Sequence, residues 1–432
     1  MAETSHDVRA AVERAAEGLR GDLIAWRHHL HAHPELSNRE AQTAAFVAEK
    51  LRAAGLDEVR TAIAGHGVVG VLRGGLPGDR VAALRADMDA LPVAEDSGVD
   101  FASTVVDADY PGGPFPVAHA CGHDCHTATV LASAHVLASV REQLPGTVLF
   151  VFQPAEEGPP VDETGGAQAL LDAGALADPE PTMAFGMHVC PLPVGVIGYR
   201  VGNLYAASCL VKIVVTGQQV HGSTPWLGID PMPAAAEIIS GVGQLYRQIP
   251  AYNAITVSIG HVEDVGRFNI IGQTVTLWGT IRCTDENDMA TVQANLRRLA
   301  EHHAAAYGCT ADVGYDQYVP PVHNSAEWID TLLPTLVRVV GEGNVVEVPP
   351  ALGYDDMSVF TRAFGGAYLM FGVQDVRIEN QGLVPSEGGR GLAPNHSPRF
   401  YADDDALLTS LRVQVHVAVD HLTGTAPLPP RA

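Results

Sequence analysis

The chain has 432 residues, 50 of them acidic against 26 basic, for a formal net charge of −24 at pH 7. That excess repels phosphate backbones and anionic lipid, which argues against nucleic-acid and membrane-surface partners. No uninterrupted apolar stretch approaches the roughly 20 residues of a membrane span. Six cysteines (Cys121, Cys125, Cys190, Cys209, Cys283, Cys309), spread thinly and without a secretory leader, are expected to be reduced in a cytoplasmic protein.

Val8, Val12, Leu19, Leu23, Trp26 and Leu30 recur at helical spacing and predict an amphipathic helix, followed by a second over about 40–54. Apolar runs bounded by turn residues come next: GVVGVLRGG, RVAALRADMDAL, TVLFVFQPAEE and TMAFGMHV, with the helical TATVLASAHVLASV among them. Near-continuous apolar strands separated by helices predict an α/β domain whose central sheet is covered by helices on both faces. From about residue 203 the texture changes. ASCLVKIVVTG, PMPAAAEIISGVGQLYRQI, AITVSIGHV, QTVTLWGTIR, ENDMATVQANLRRLAEHHAAAYG and TADVGYDQYV read strand, helix, strand, strand, helix, strand, the βαββαβ order of a ferredoxin-like unit. From about residue 322 the α/β texture returns with WIDTLLPTLVRVVG, AYLMFGV and a closing helix. The expected organisation is one large domain in two parts, 1–202 and 319–432, with 203–318 inserted.

Functional groups of an open α/β sheet collect where strands end. VAALRAD delivers Asp87 and Asp89, VLFVFQPAEE delivers Glu156 and Glu157, and MAFGMH delivers His188. HACGHDCHTA adds Cys121 and His123 at the start of a helix, and APNHSPRF adds His396. Singly, each has a bland explanation in packing, capping or a solvated loop. Their recurrence at strand ends does not, because neither solvation nor packing calls for carboxylates, imidazoles and a thiol at one sheet edge. Thiolate, imidazole and carboxylate suit two divalent ions of the zinc type. Such a pair can share a bridging hydroxide and polarise an amide carbonyl, leaving one of the two adjacent glutamates to move protons. GHGVVG precedes a strand and so reads as a turn, and no phosphate loop, H-E-x-x-H or G-x-S-x-G occurs. The spacing of Cys121 and Cys125 does not fit a C-x-x-C redox pair.

In order, WRHHLHAHPELS, ALRADMDALPV, HACGHDCHTA, FQPAEE, GMHV, GIDPM, GTIR and NHSPRF resemble the metal-dependent aminoacylase and carboxypeptidase family, in the branch of hippurate hydrolase, indole-acetyl-amino-acid hydrolases and bacterial N-acyl-amino-acid amidohydrolases. The resemblance covers nearly the whole chain. It implies a zinc-peptidase-like catalytic domain carrying an inserted ferredoxin-like lid. Carried across by motif, it makes Cys121, His123, Glu157, His188 and His396 the ligands of two divalent metal ions, zinc or manganese, with cobalt or nickel as alternatives. Glu156 becomes the general acid/base, and Asp89 orients a ligand from behind. The motif leaves Asp124 and His126 open: His126, three residues after His123, can share its helix face, and both can equally stand behind the ligands or cap the helix. His221 becomes a lid residue that steadies the oxyanion, reaching across a homodimer, and Asn269 and Arg282 become contacts for a substrate carboxylate. The implied reaction cleaves an N-acyl amino acid or related amide into carboxylate and amine by metal-bound hydroxide. A dipeptidase or carboxypeptidase with the same two-metal site is the alternative, and a catalytically idle metal- or ligand-binding protein the remaining one. STPW, NIIG, GYDDM and the Pro-rich PAEEGPPVDETGGA depart from the family pattern away from the ligands, so they bear on specificity more than on chemistry.

Overall fold

The computed structural model describes residues 2–380, 382–425, 428 and 429, with side chains from residue 8 onward. The chain divides into two compact units, Met1–Gly202 with His323–Val348 and Val359–Ala432, and Asn203–Val322 with Pro349–Ser358.

The larger unit is built on an eight-stranded mixed sheet in the order Glu58–Ile63, Gly67–Arg73, Pro145–Gln153, Leu76–Asp87, Met183–Pro193, Gly366–Gln374, Ile197–Tyr199, Val345–Glu347. Its four central strands, from Pro145–Gln153 to Gly366–Gln374, run parallel. They read as unbroken apolar runs because both faces are covered. On one face Leu84, Phe150, Phe185 and Leu369 pack with Leu23, Leu30, Leu131 and Leu411 from the helices Arg20–Ala32, His123–Ser139 and Asp404–Leu422. On the other, Ala83, Leu149, Val151 and Tyr368 are equally buried. There a Cβ at Gly67 would run into Leu170 of the short helix Gly166–Asp172. The helix His123–Ser139 is buried at every position from His123 to Ala134, as a helix without a polar face must be. It packs against Arg20–Ala32 and Asp404–Leu422 as well as the sheet.

The N-terminal pattern folds as two helices, Ala2–Gly18 and Arg20–Ala32, instead of one. The interruption at Leu19 falls between Gly18 and Gly21, residues of low helix propensity. Asp403 caps the last helix by accepting from the Asp405 N–H, and Ser325 caps Ala326–Val340 through the Trp328 N–H.

The smaller unit has a four-stranded antiparallel sheet, ordered Ile255–Asp264, Thr274–Cys283, Ala207–Thr216, Thr310–Val319, and two helices, Pro231–Val242 and Glu286–Ala306. Along the chain these elements follow one another as βαββαβ, with a small extra ladder between Val220–His221 and Ile270–Ile271. Burial alternates strictly along Thr274–Cys283, so one face packs on the helices through Leu277, Ile281, Ile238 and Leu296 while the other is left for solvent. No helix among the described residues is long and apolar enough to cross a membrane.

Candidate metal centre

The strand Leu76–Asp87 pairs in register with Pro145–Gln153, setting Asp87 beside Gln153, and its pairing with Met183–Pro193 carries His188 to the same edge. The crossover from Leu76–Asp87 back to Pro145–Gln153 is the helix His123–Ser139, so its N-terminus returns to the carboxyl edge of the sheet. Gly122 makes the sharp entry. Its φ is +88°, and a Cβ there would lie 2.2 Å from Val189 Cγ2. Cys121 and His123 flank it and are thereby aimed at the strand ends. The loop 394–397 closes the ring, because Asn395 Nδ2 donates to Cys121 O (3.1 Å) and Val189 O (3.2 Å) and the His396 N–H donates to Ala120 O (2.8 Å).

Cys121 Sγ lies 3.4 Å from His188 Nε2, and His396 Nε2 lies 3.3 Å from Glu157 Oε1. His123 Nε2 faces Glu156 Oε2 at 3.9 Å and Glu157 Oε1 at 3.8 Å and, although buried, has no hydrogen-bond partner among the described residues. The donor atoms fall into overlapping triads, each within 4.8 Å: Cys121, His123 and His188; Cys121, Glu157 and His396; and His123, Glu156 and Glu157. Ligands about 2.0–2.3 Å from one ion stand roughly 3–4 Å apart, so these spacings suit coordination better than direct hydrogen bonding. The protonation behaviour is mixed, since burial would lower His123 but Asp87, Asp89 and Glu157 raise it to about 10. Burial, and then the negative Glu157 and Glu156, push the Cys121 thiol well above its ordinary value. A cation among these groups would reverse that, because it deprotonates a coordinating thiol. Burial and the neighbouring His126 push His188 down to about 3, which leaves the neutral ring that ligation requires. Burial would raise Glu157, but His396 and His123 hold it at about 2. The residues present therefore fit a pair of divalent cations.

Behind these donors stands a second tier. His188 Nδ1 donates to Val189 O at 2.6 Å, which directs Nε2 at Cys121. Asp89 faces His123 Nδ1 at 3.3 Å and accepts from Ser37 Oγ (2.7 Å) and the Glu157 N–H (2.9 Å). His126 is spoken for on both sides: Nδ1 meets Asp87 Oδ1 at 2.6 Å and Nε2 accepts from the Val189 N–H at 2.9 Å. Asp124 points the other way, held by Arg27 Nε (2.9 Å) and His31 Nδ1 (2.8 Å), with His31 Nε2 on Glu95 at 2.9 Å. Cys125 is buried in the apolar core beside these groups.

Of the remaining residues, His221 and Asn269 lie together in the smaller unit, where His221 pairs with Ile270 and the Gly222 N–H donates to Asn269 O at 2.9 Å. His221 Nδ1 accepts from the Ser223 N–H at 3.0 Å, so a neutral ring carries its proton on Nε2. Arg282 sits on the strand Thr274–Cys283 with its guanidinium 4.6 Å over the Tyr354 ring. Asp87, expected with Asp89 as a strand-end donor, stands behind the cluster instead, on His126 and Arg85. Four contributors are not singled out by the sequence: Asn395, Arg27, His31 and Glu95. Asn395 lies inside APNHSPRF, Arg27 and His31 lie inside WRHHLHAHPELS, and Glu95 has no sequence signal.

A sheet edge with this donor set defines a metal-binding hydrolase of amide bonds. The chain belongs to peptidase family M20/M25/M40, whose family model matches residues 83–418. It is 35% identical to thermostable carboxypeptidase 2 of Saccharolobus solfataricus over 89% of this chain and 91% of that one. It is 33% identical to the N-acetylcysteine deacetylase of Bacillus subtilis over 92% and 96%. The crystal structure of the Bacillus subtilis YXEP protein, described as a dinuclear metal-binding peptidase of family M20, matches with a TM-score of 0.72 at 31% identity, covering 94% of this chain and 99% of that one.

Proposed function

We propose that the protein is a two-metal amidohydrolase that removes the acyl group from N-acyl amino acids. The observation that carries this reading is the double membership of Cys121 and Glu157 in adjoining triads, which is what two neighbouring cations need. Cys121, His123, Glu157, His188 and His396 would hold them, with zinc or manganese as the occupants and cobalt or nickel as alternatives. Bound there, the ions supply charge to polarise the acyl carbonyl and to ionise water at neutral pH.

Glu156 is nearly buried and stands next to a ligand. It takes the proton of the attacking water and delivers it to the leaving nitrogen. In the same reading the smaller unit is a lid and a dimerisation module. The Nε2–H of His221 steadies the oxyanion, and Asn269 and Arg282 take the substrate carboxylate. The edge strand Ile255–Asp264, with exposed Val265 and Phe268 just beyond it, is the surface on which a second copy would dock.

The deacetylase relative supports an acyl amino acid as substrate, and the carboxypeptidase relative makes a peptide the competing one. The test offers N-acyl amino acids and free dipeptides side by side to the protein, with its metal content measured. Faster hydrolysis of the acyl amino acids is expected. Preferential cleavage of dipeptides would make the protein a peptidase, and no turnover of either class by the metal-loaded protein would leave only a binding role.

A further inference from the structure

Glu40 is fully buried, yet it belongs to neither tier described above. It immediately precedes the helix Ala41–Ala53, but its side chain does not cap that helix. Glu35 does so instead, accepting from the Gln42 N–H at 3.1 Å and the Thr43 N–H at 2.8 Å. The Oε1 of Glu40 is thereby free to accept two backbone N–H groups from separate segments, Asn38 at 3.0 Å and Ala155 at 2.8 Å.

Both of those residues are left-handed, with φ of +62° at Asn38 and +56° at Ala155. Asparagine tolerates that region through its short polar side chain, but alanine has no such help and adopts it only where surroundings hold it. Ala155 is buried and directly precedes Glu156 and Glu157. The turn it makes sets the direction in which both glutamates leave the strand Pro145–Gln153. The rest of the segment around Glu40 holds the same loop: Asn38 Nδ2 donates to Thr164 O at 3.0 Å, Arg39 pairs with Glu163 at 2.8 Å, and Ser37 Oγ bonds Asp89, which in turn accepts from the Glu157 N–H.

We propose that Glu40 is a positioning residue, which holds Ala155 in the left-handed conformation so that Glu156 and Glu157 face the metal cluster. The proposal rests on the roles given to those two glutamates above.

The experiment compares Glu40→Ala, Glu40→Gln, and each combined with Ala155→Gly, in the full-length protein loaded with Zn2+ or Mn2+. A misplacement near 1 Å can cost about 100-fold in rate, so Glu40→Ala is expected to lower kcat by about 30-fold or more with little change in KM. Because Glu157 leaves the same turn, competition with a chromophoric chelator should also show metal held about tenfold less tightly. Glu40→Gln keeps an acceptor oxygen and should stay within about threefold, since the bonds it must make are to neutral N–H groups. Glycine occupies positive φ without steric strain. Ala155→Gly should therefore recover about tenfold of the kcat lost in Glu40→Ala, a rescue that a merely structural role cannot give.

A folded Glu40→Ala protein with wild-type kcat and metal affinity would overturn the proposal, as would a loss that glycine at position 155 leaves unrelieved. Should Glu40→Ala not fold, the double variant decides: folded and active it supports the proposal, and as unfolded as the single variant it overturns it. The underlying reading fails separately. Wild-type turnover by Glu156→Gln removes the role of Glu156 whatever the Glu40 variants do, whereas an inactive Glu156→Gln beside a fully active Glu40→Ala removes the Glu40 proposal alone.

Discussion

Asp89→Asn changes one atom and inverts the logic of His123, one of the proposed metal ligands. One carboxylate oxygen of Asp89 faces His123 Nδ1 at 3.3 Å, and the other accepts from Ser37 Oγ and the Glu157 N–H. In the variant the amide oxygen must serve those two donors, which turns the amide N–H group toward His123. Nδ1 must then accept, and the ring proton moves to Nε2, the atom that faces Glu156 and Glu157. A protonated Nε2 cannot bind metal. Asp87 is no substitute acceptor: it stands 3.8 Å from Nδ1, and its two oxygens are committed to His126 and Arg85. Loss of a group behind a metal-binding imidazole costs about 10–100-fold in affinity. That corresponds to about 1.4–2.7 kcal/mol at 1.36 kcal/mol per decade. With the tautomer inverted as well, the upper end, about 100-fold, is expected. Competition with a chromophoric chelator for Zn2+ measures it, and unfolding in urea with the chelator present checks that the apo protein keeps its stability. Ser37→Ala, which leaves the carboxylate facing Nδ1, serves as control and should lose less than about tenfold. Metal binding by Asp89→Asn within about threefold of wild type would refute the tautomer argument.

Gly122→Ala forces a Cβ into Val189 at a left-handed φ; strain of about 1–2 kcal/mol and overpacking of about 1–3 kcal/mol together predict a loss of roughly 2–5 kcal/mol in urea unfolding, and a change under about 1 kcal/mol would show that the helix entry yields easily. Arg27→Met leaves Asp124, 1% exposed, with His31 alone as its charged partner among the described residues; a loss of about 3–5 kcal/mol is expected, and an unchanged urea midpoint would mean that His31 suffices. Burial by itself would lower the His31 pKa, but the charge and hydrogen bond of Asp124 and the bond to Glu95 raise it to about 9, above the ordinary 6.5. The stability it contributes is therefore fully present below pH 6.5 and lost as the pH rises through 9. Urea midpoints across that window should fall less steeply in His31→Gln than in wild type, and equal slopes would contradict the assignment.

The α/β texture, the βαββαβ order and the strand-end donors were legible because each is written locally: apolar period marks strand or helix, and a motif lies within a few residues of the turn it makes. The break at Leu19 was not, since two glycines in a strongly periodic stretch only weaken a helix, and tertiary packing decides whether it continues. Likewise Asp124 and His126 share a helix turn with His123 in sequence, but only the packed structure turns Asp124 toward Arg27 and leaves His126 between Asp87 and Val189.

By itself the sequence determined which chemistry is available: a thiol, imidazoles and carboxylates placed at strand ends and at one helix start, with two adjacent glutamates after the strand Pro145–Gln153. Tertiary structure alone decided which atoms those groups present. His123 offers Nε2 because Asp89 claims Nδ1, His188 offers Nε2 because Val189 O claims its Nδ1, and Glu156 and Glu157 leave a turn whose left-handed residue is bonded to Glu40, more than a hundred residues earlier. The physical reason is that a side chain's identity is local, whereas its tautomer, charge and direction are set by partners that only folding brings within hydrogen-bond reach.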